Sequence, residues 1–303
     1  MHLKLFYSDL NILITGGTGF IGSYITEKLV NLGANVTVLS RTANPENLVA
    51  VKDKVNFIKG NIKDFNTCLE ATKNKDIAFH LAAFISASDS IANPLECQQT
   101  NIGGTYNMLE ACRQNNVERF ILSSSAAVYG STDKLCQEDN ICNPESPYGY
   151  SKLIGEELCQ QYSRFYNLKT LCLRYFNVFG DRQNPNGAYA AVVAKFKDSL
   201  KNNAPITIFG DGQQTRDFVP VQKIAEANIM LATLNDQLNG QPVNVASGNS
   251  INIIELFELL KLNYPDYTQA LTFKPARVGD PKNSFADNSK LKKMLQLSSI
   301  TKL

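Results

Sequence analysis

Asn11-Ile12-Leu13-Ile14-Thr15-Gly16-Gly17-Thr18-Gly19-Phe20-Ile21-Gly22 joins a short apolar, β-prone run to a loop with glycines at 16, 19 and 22. A helical pattern follows through Leu29, Val30 and Leu32. Gly33 ends it, and Val36-Thr37-Val38-Leu39 is a second strand-like run. The order is strand, glycine loop, helix, strand. Glycines at this spacing allow a tight turn, close approach to a pyrophosphate, and tight packing of helix on strand. The helix N-terminus then faces the anion. A glycine triplet alone is often only a turn; within a βαβ unit it points to a dinucleotide site.

Outward from this unit, strands and helices alternate. Strand-like runs lie near 11–15, 35–40, 55–59, 76–82, 118–124 and 170–175, with helical patterns near 95–115 and 147–166. That alternation predicts an α/β fold, a Rossmann-type doubly wound parallel sheet with helices on both faces. After Asn177 the pattern breaks into a loop and short elements. The expected division is a dinucleotide-binding domain over 1–176, rejoined by about 218–247. A smaller interwoven α/β substrate domain takes 177–217 and 248–303, with the substrate in the cleft between them.

Composition narrows the function classes. The chain has 303 residues, 44% of them hydrophobic, enough for a sizeable core. A net charge of +2 suggests no nucleic-acid partner. No run of about 20 apolar residues suggests a membrane span. Seven cysteines without CxxC pairs read as reduced thiols in a cytoplasmic protein. With two histidines, His2 and His80, no metal site is expected.

Ser146-Pro147-Tyr148-Gly149-Tyr150-Ser151-Lys152 carries the chemistry. It opens a helix and puts a phenol four residues before an ammonium, on one face. Bringing a tyrosine from a pKa of about 10 to near 7 takes roughly 4 kcal/mol. A charge about 4 Å away at an effective dielectric of about 20 supplies that much. The spacing alone decides nothing, since Tyr24-Ile25-Thr26-Glu27-Lys28 shares it and reads as an ordinary helix face.

Together these stretches resemble the extended short-chain dehydrogenase/reductase family, with the strongest likeness to nucleotide-sugar epimerases. The likeness runs from about Asn11 to Leu297. It includes His80-Leu81-Ala82-Ala83, Asn101-Ile102-Gly103-Gly104-Thr105, Phe120 to Gly130, Leu173 to Gly180, Phe209 to Gly212, Arg216-Asp217-Phe218 and Arg277-Val278-Gly279-Asp280. The resemblance implies NAD as cofactor, a UDP-sugar as substrate and a homodimer built on the 95–115 and 147–166 helices. It implies a catalytic set of Ser125, Tyr148 and Lys152, with Tyr148 as base. Cofactor contacts would come from Gly16, Gly19, Phe20, Ile21, Gly22, Ser40, Arg41, Asn61, Ile62, Leu81, Ala82, Ala83 and Asn101, besides Tyr148 and Lys152. Substrate contacts would come from Ser86, Ser125, Asn177, Thr207, Phe209, Arg216, Arg277, Asp280 and Ser284. Arg216 and Arg277 would hold the diphosphate and Asp280 a ribose hydroxyl. Ser284 would border the sugar's 2-substituent.

Two alanines refine the reaction. Related 4,6-dehydratases usually carry acidic residues where Ala126 and Ala127 stand, and related decarboxylases commonly keep a glutamate at Ala127. Eliminating water needs an additional acid and base, so both activities are disfavoured. What remains is oxidation and reduction at one carbon. That implies a 4-epimerase interconverting UDP-GlcNAc/UDP-GalNAc and/or UDP-glucose/UDP-galactose. An NADPH-dependent 4-keto-sugar reductase and a non-catalytic dinucleotide-binding relative are the alternatives. Three departures bear on them. Ser40-Arg41 replaces the usual aspartate after the second strand, leaving open a 2′-phosphate contact and hence NADP. Asn61 replaces another aspartate. The sequence also stops at Leu303, short of the last helix such relatives carry.

Overall fold

The computed structural model describes residues 2–42, 46–183, 192–276, 283 and 285–296. The elements, in order, are α1 (His2–Tyr7), β1 (Asn11–Thr15), α2 (Phe20–Asn31), β2 (Asn35–Ser40), β3 (Val55–Lys59), α3 (Phe65–Thr72) and β4 (Ile77–His80). Next come α4 (Ala87–Ala92), α5 (Pro94–Gln98), a π-helical turn at Gln99–Gly103, α6 (Gly104–Gln114), β5 (Arg119–Ser125), α7 (Pro147–Tyr166), β6 (Lys169–Tyr175) and β7 (Val178–Phe179). The remainder is α8 (Val192–Lys201), β8 (Ile206–Phe209), β9 (Thr215–Arg216), β10 (Val219–Pro220), α9 (Val221–Leu231), β11 (Asn239–Val245), β12 (Ile251–Asn252), α10 (Ile253–Lys261), β13 (Leu271–Lys274) and α11 (Ser289–Leu295).

Seven strands form one sheet in the order β11-β6-β5-β4-β1-β2-β3, with every pair parallel. Side chains alternate between its faces. Ile12, Ile14, Val36, Val38, Ile77, Phe79, Ile121, Leu171, Leu173, Val243 and Val245 point to one face, where α2, α9 and α11 pack. Leu13, Leu39, Ala78, Phe120, Leu122 and Cys172 point to the other, under α3, α6 and α7. Burial on both faces explains why β1 reads as an unbroken apolar run rather than an alternating one. Ile12, Leu13 and Ile14 are fully buried, each worth about 1.5–3 kcal/mol.

A third core stands apart. Val193, Phe196, Leu200, Ile206, Ile208, Phe218, Ile253, Leu256, Phe257 and Tyr267 pack around the parallel pair β8 and β13. The chain enters this unit after β7, leaves it through β10, and α9 and β11 return to the large sheet. One assignment changes. The expected substrate domain took in all of 248–303, but Leu291 of α11 lies in the core of the large sheet. Asn288 fastens this end by donating to the Ala246 and Ser247 carbonyls at 3.1 and 2.7 Å. Among the described residues no helix is long and apolar enough to cross a membrane, and no cluster of metal-ligating side chains is found.

Candidate active site

The glycine loop closes over the C-terminal edge of β1. Gly16 has φ +71°, and a Cβ there would meet Ala82 N at 2.8 Å. A Cβ on Gly22 would overlap the Gly16 carbonyl, so glycine is required where α2 crosses the loop. Gly19 is the N-cap of α2 with no side-chain cap, which leaves the first-turn N–H groups of Phe20 and Ile21 for a ligand. Leu81 N donates to Thr15 O at 3.1 Å, and Ala82 N to Thr15 Oγ1 at 3.1 Å. These bonds bring the Leu81-Ala82-Ala83 backbone alongside. The cradle a Cβ would fill and the uncapped helix end fit a pyrophosphate.

Around the cradle, Ser40 Oγ lies 3.1 Å from Thr18 Oγ1. Asn61 Oδ1 accepts from Lys63 N at 3.0 Å. Ile62 is buried, and a Cβ on Gly104 would meet its side chain at 2.5 Å. Asn101 lies in the π turn with every side-chain position engaged. Its Oδ1 accepts from Phe84 N at 2.7 Å, while Nδ2 donates to Phe84 O at 2.9 Å and Ser151 Oγ at 2.8 Å. In this structure it is a clamp between the loop after β4 and α7.

The loop after β5 and the N-terminus of α7 meet tightly. Ser146 caps α7, accepting from Gly149 N at 3.1 Å, and Pro147 occupies its first turn. A Cβ on Gly149 would lie 2.7 Å from Ala127 O. Only glycine lets the two backbones approach so closely, and that approach sets Tyr148 beside Ser125. Ser90 contributes by accepting from Tyr148 N at 3.1 Å. The sequence reading passed over Gly149 and Ser90; a cap, a proline and a glycine within four residues were the available signal for the first.

The catalytic candidates converge. Ser125 Oγ accepts from Ala127 N at 3.2 Å and is a hydrogen-bond partner of the half-buried Tyr148 phenol. Lys152 is buried, donating from Nζ to Ser123 O at 2.8 Å. Its ammonium lies 5.8 Å from the Tyr148 ring centroid. The sequence estimate weighed only the lysine charge; taking the phenol out of water opposes its ionisation as well. Burial accordingly dominates Tyr148 and pushes its pKa up, the Ser125 hydrogen bond opposing it. Burial likewise pushes Lys152 down, to about 8. His80 is held neutral at about 3, chiefly by burial, between the Thr15 and Thr105 hydroxyls at 2.8 and 3.2 Å.

Beneath Lys152, one turn along α7, Glu156 forms a buried ion pair with Arg174 of β6 at 2.8 Å and accepts from Ser124 Oγ. Removing one partner of such a pair typically costs about 3–5 kcal/mol, so it pins α7 to β5 and β6. Cys97, fully buried, lies 3.9 Å from Ser151 Oγ and 3.8 Å from Asn101 Nδ2; nothing in the sequence reading singled it out.

The substrate candidates are more scattered. Asn177 donates to Asp217 O at 3.0 Å. The buried Arg216 side chain donates to Thr215 O at 2.7 Å. Asp217 is fully buried and raised to about 6 by burial, although it accepts from Ser247 N, Ser247 Oγ and Gly248 N at 2.7–2.9 Å. It ties the Arg216 strand to the turn after β11. Ser86 caps α4 by accepting from Asp89 N at 2.8 Å. Thr207 bonds across to Thr272 at 3.0 Å in the small sheet, and Phe209 O accepts from Gln214 Nε2 at 2.6 Å. Arg277, Asp280 and Ser284 lie outside the described residues. Asn283 Oδ1 accepts from Thr215 Oγ1 at 3.4 Å, one residue before Arg216.

Known proteins share this fold and part of this sequence. The model of the NAD dependent epimerase/dehydratase family matches residues 12–246. A UDP-glucose 4-epimerase of Mycolicibacterium smegmatis is 34% identical, over 94% of this chain and 92% of that protein. The solved UDP-N-acetylglucosamine 4-epimerase of Methanobrevibacter ruminantium, in complex with UDP-N-acetylmuramic acid, is 38% identical with a TM-score of 0.89, covering 95% of this chain and 92% of that one. The UDP-glucose 4-epimerase of Thermus thermophilus in complex with NAD is 31% identical with a TM-score of 0.83, covering 94% and 92%. Sugar-nucleotide dehydratases and decarboxylases also match. The chain belongs to the NAD dependent epimerase/dehydratase family. It is an NAD-dependent epimerase, with NAD as its cofactor.

Proposed function

We propose that the chain is a nucleotide-sugar 4-epimerase that interconverts UDP-GlcNAc and UDP-GalNAc, UDP-glucose and UDP-galactose, or both. The observation that carries this reading is the convergence of Ser125, Tyr148 and Lys152 beside the glycine cradle, with Ala126 and Ala127 next to them. Those alanines supply no additional acid or base, which favours redox chemistry at one carbon over elimination.

NAD, when bound, supplies a hydride acceptor and later donor, and a positive charge near the phenol. Tyr148 takes the proton of the sugar 4-hydroxyl, and Ser125 orients that hydroxyl and the phenol. Lys152 adds its charge, held in place by Ser123 O. The 4-keto sugar turns over in the cleft so that hydride returns to the other face of C4, and Tyr148 returns the proton to the C4 oxygen. Asn177 and Arg216 bind the diphosphate end; a guanidinium suits two-point recognition of phosphate. The large-sheet unit forms the cofactor domain and the β8/β13 unit the sugar side. α6 and α7 form the interface of a homodimer, a reading supported by the exposed Tyr106, Tyr150, Phe165 and Tyr166 on them.

The test is to incubate the purified protein with UDP-GlcNAc and, separately, UDP-glucose, without added cofactor. Chromatography should show the 4-epimer in at least one mixture. Loss of the 6-hydroxyl or of carbon dioxide, or no conversion of either sugar, would defeat the proposal.

A further inference from the structure

The tip of β2 has no carboxylate. Ser40 ends the strand, and Arg41 and Thr42 follow. In folds of this type the adenosine ribose lies at that tip, about 20 residues beyond the glycine loop. An acidic side chain there accepts from the 2′-hydroxyl, whereas an arginine accommodates a 2′-phosphate. The Ser40 hydroxyl is at the rim of the cradle, 3.1 Å from Thr18 Oγ1, and it accepts from Thr42 N at 3.4 Å. Arg41 is exposed beside it. Glu96 lies within electrostatic reach of Arg41, and Lys63 already grips it at 2.8 and 3.0 Å. That grip, with a smaller contribution from Arg41, holds Glu96 below the usual carboxylate range.

Arg41 and Lys63 thus set two cations against Glu96 near the Ser40 hydroxyl. A guanidinium has no acceptor to offer a ribose diol. A phosphate monoester there would gain bidentate, charge-assisted hydrogen bonds from it. We propose that Ser40 and Arg41 form a 2′-phosphate site, so that the chain binds NADP in addition to NAD. The proposal concerns binding alone and does not depend on which sugar is turned over.

The test uses the full-length protein freed of bound nucleotide. Titration calorimetry compares 2′,5′-ADP with 5′-AMP, which lacks the 2′-phosphate, and NADP with NAD. The expected result is that 2′,5′-ADP binds at least tenfold tighter than 5′-AMP. Arg41→Ala should weaken 2′,5′-ADP and NADP about ten- to hundredfold, the range for a hydrogen bond to a charged group. The same variant should weaken 5′-AMP and NAD far less. Ser40→Asp should also disfavour NADP by like-charge repulsion. Equal binding of the two probes overturns the proposal, as does a preference that survives Arg41→Ala. Parallel weakening of all four nucleotides would place Arg41 on the adenine and overturn it too.

Discussion

Two helices of this molecule carry the same spacing, a tyrosine four residues before a lysine, and the fold gives the two pairs different surroundings. On α2, Tyr24 donates to Asp181 O at 3.2 Å under the Arg182 guanidinium, and Lys28 pairs with Glu226 at 3.3 Å. Both side chains are partly exposed, and every partner is a surface group. On α7, Tyr148 meets Ser125 and Lys152 is buried on Ser123 O. The difference comes from what lies opposite. α7 begins where β5 ends, and the Gly149 contact pulls its first turn onto the mouth of the sheet. Tyr24 lies on the second turn of α2, facing the segment after β7. A spacing thus selects a helix face; the strand end beneath decides whether that face can do chemistry.

The sharpest way to break the comparison is to remove the two hydroxyls. Tyr148→Phe should reduce epimerisation by roughly 10²–10⁴-fold, the usual worth of a positioned acid or base. Far-UV circular dichroism and bound NAD should be unchanged, because the ring still packs. Turnover near that of the parent would remove Tyr148 from the mechanism.

Gly22→Val tests whether the cradle is needed as built. Any side chain there overlaps the Gly16 carbonyl, and overpacking typically costs about 1–3 kcal/mol. NAD affinity should fall tenfold or more, with a lowered melting temperature. Unchanged NAD binding by calorimetry would mean that the loop adjusts freely.

The pH response separates the buried lysine by sign. Lys152 is pushed down to about 8 by burial, against about 10.4 in an unfolded chain. Between these values the unfolded state binds more protons, so the stability of the cofactor-free protein should rise with pH from about 8 to 10.4. Activity should move the other way, falling above pH 8 as the charge beside Tyr148 is lost. Lys152→Met should remove both trends. Activity and stability changing in parallel would contradict the assignment.

At the small end, Tyr24→Phe should leave turnover within twofold and stability within about 0.5 kcal/mol, as for most surface changes. A larger loss of activity would make the two pairs less different than their surroundings suggest.

Much of this was legible beforehand because it is local. β1, β2 and β3 begin and end where the apolar runs do, and α7 covers 147–166. A fully buried parallel strand and a capped helix leave direct marks on the chain. The 95–115 segment was less legible. It is α5, a π turn and α6 rather than one regular helix, and Asn101 in that turn bonds to Phe84 and Ser151.

The glycine cradle could be read from the chain alone. A backbone-built site depends on φ and on missing Cβ atoms, and both are properties of residue type at fixed spacing. The chain also shows that a phenol, an ammonium and a serine are present in the right order. Long-range packing made Lys152 serve a carbonyl as well as a phenol, and burial raised Tyr148 rather than lowering it. The same packing made Asn101 a clamp, Asp217 a buried tie between the Arg216 strand and the turn after β11, and α11 part of the large sheet's core. Those outcomes depend on burial and on partners dozens to more than a hundred residues away. Desolvation and long-range contact leave no periodic trace in a chain.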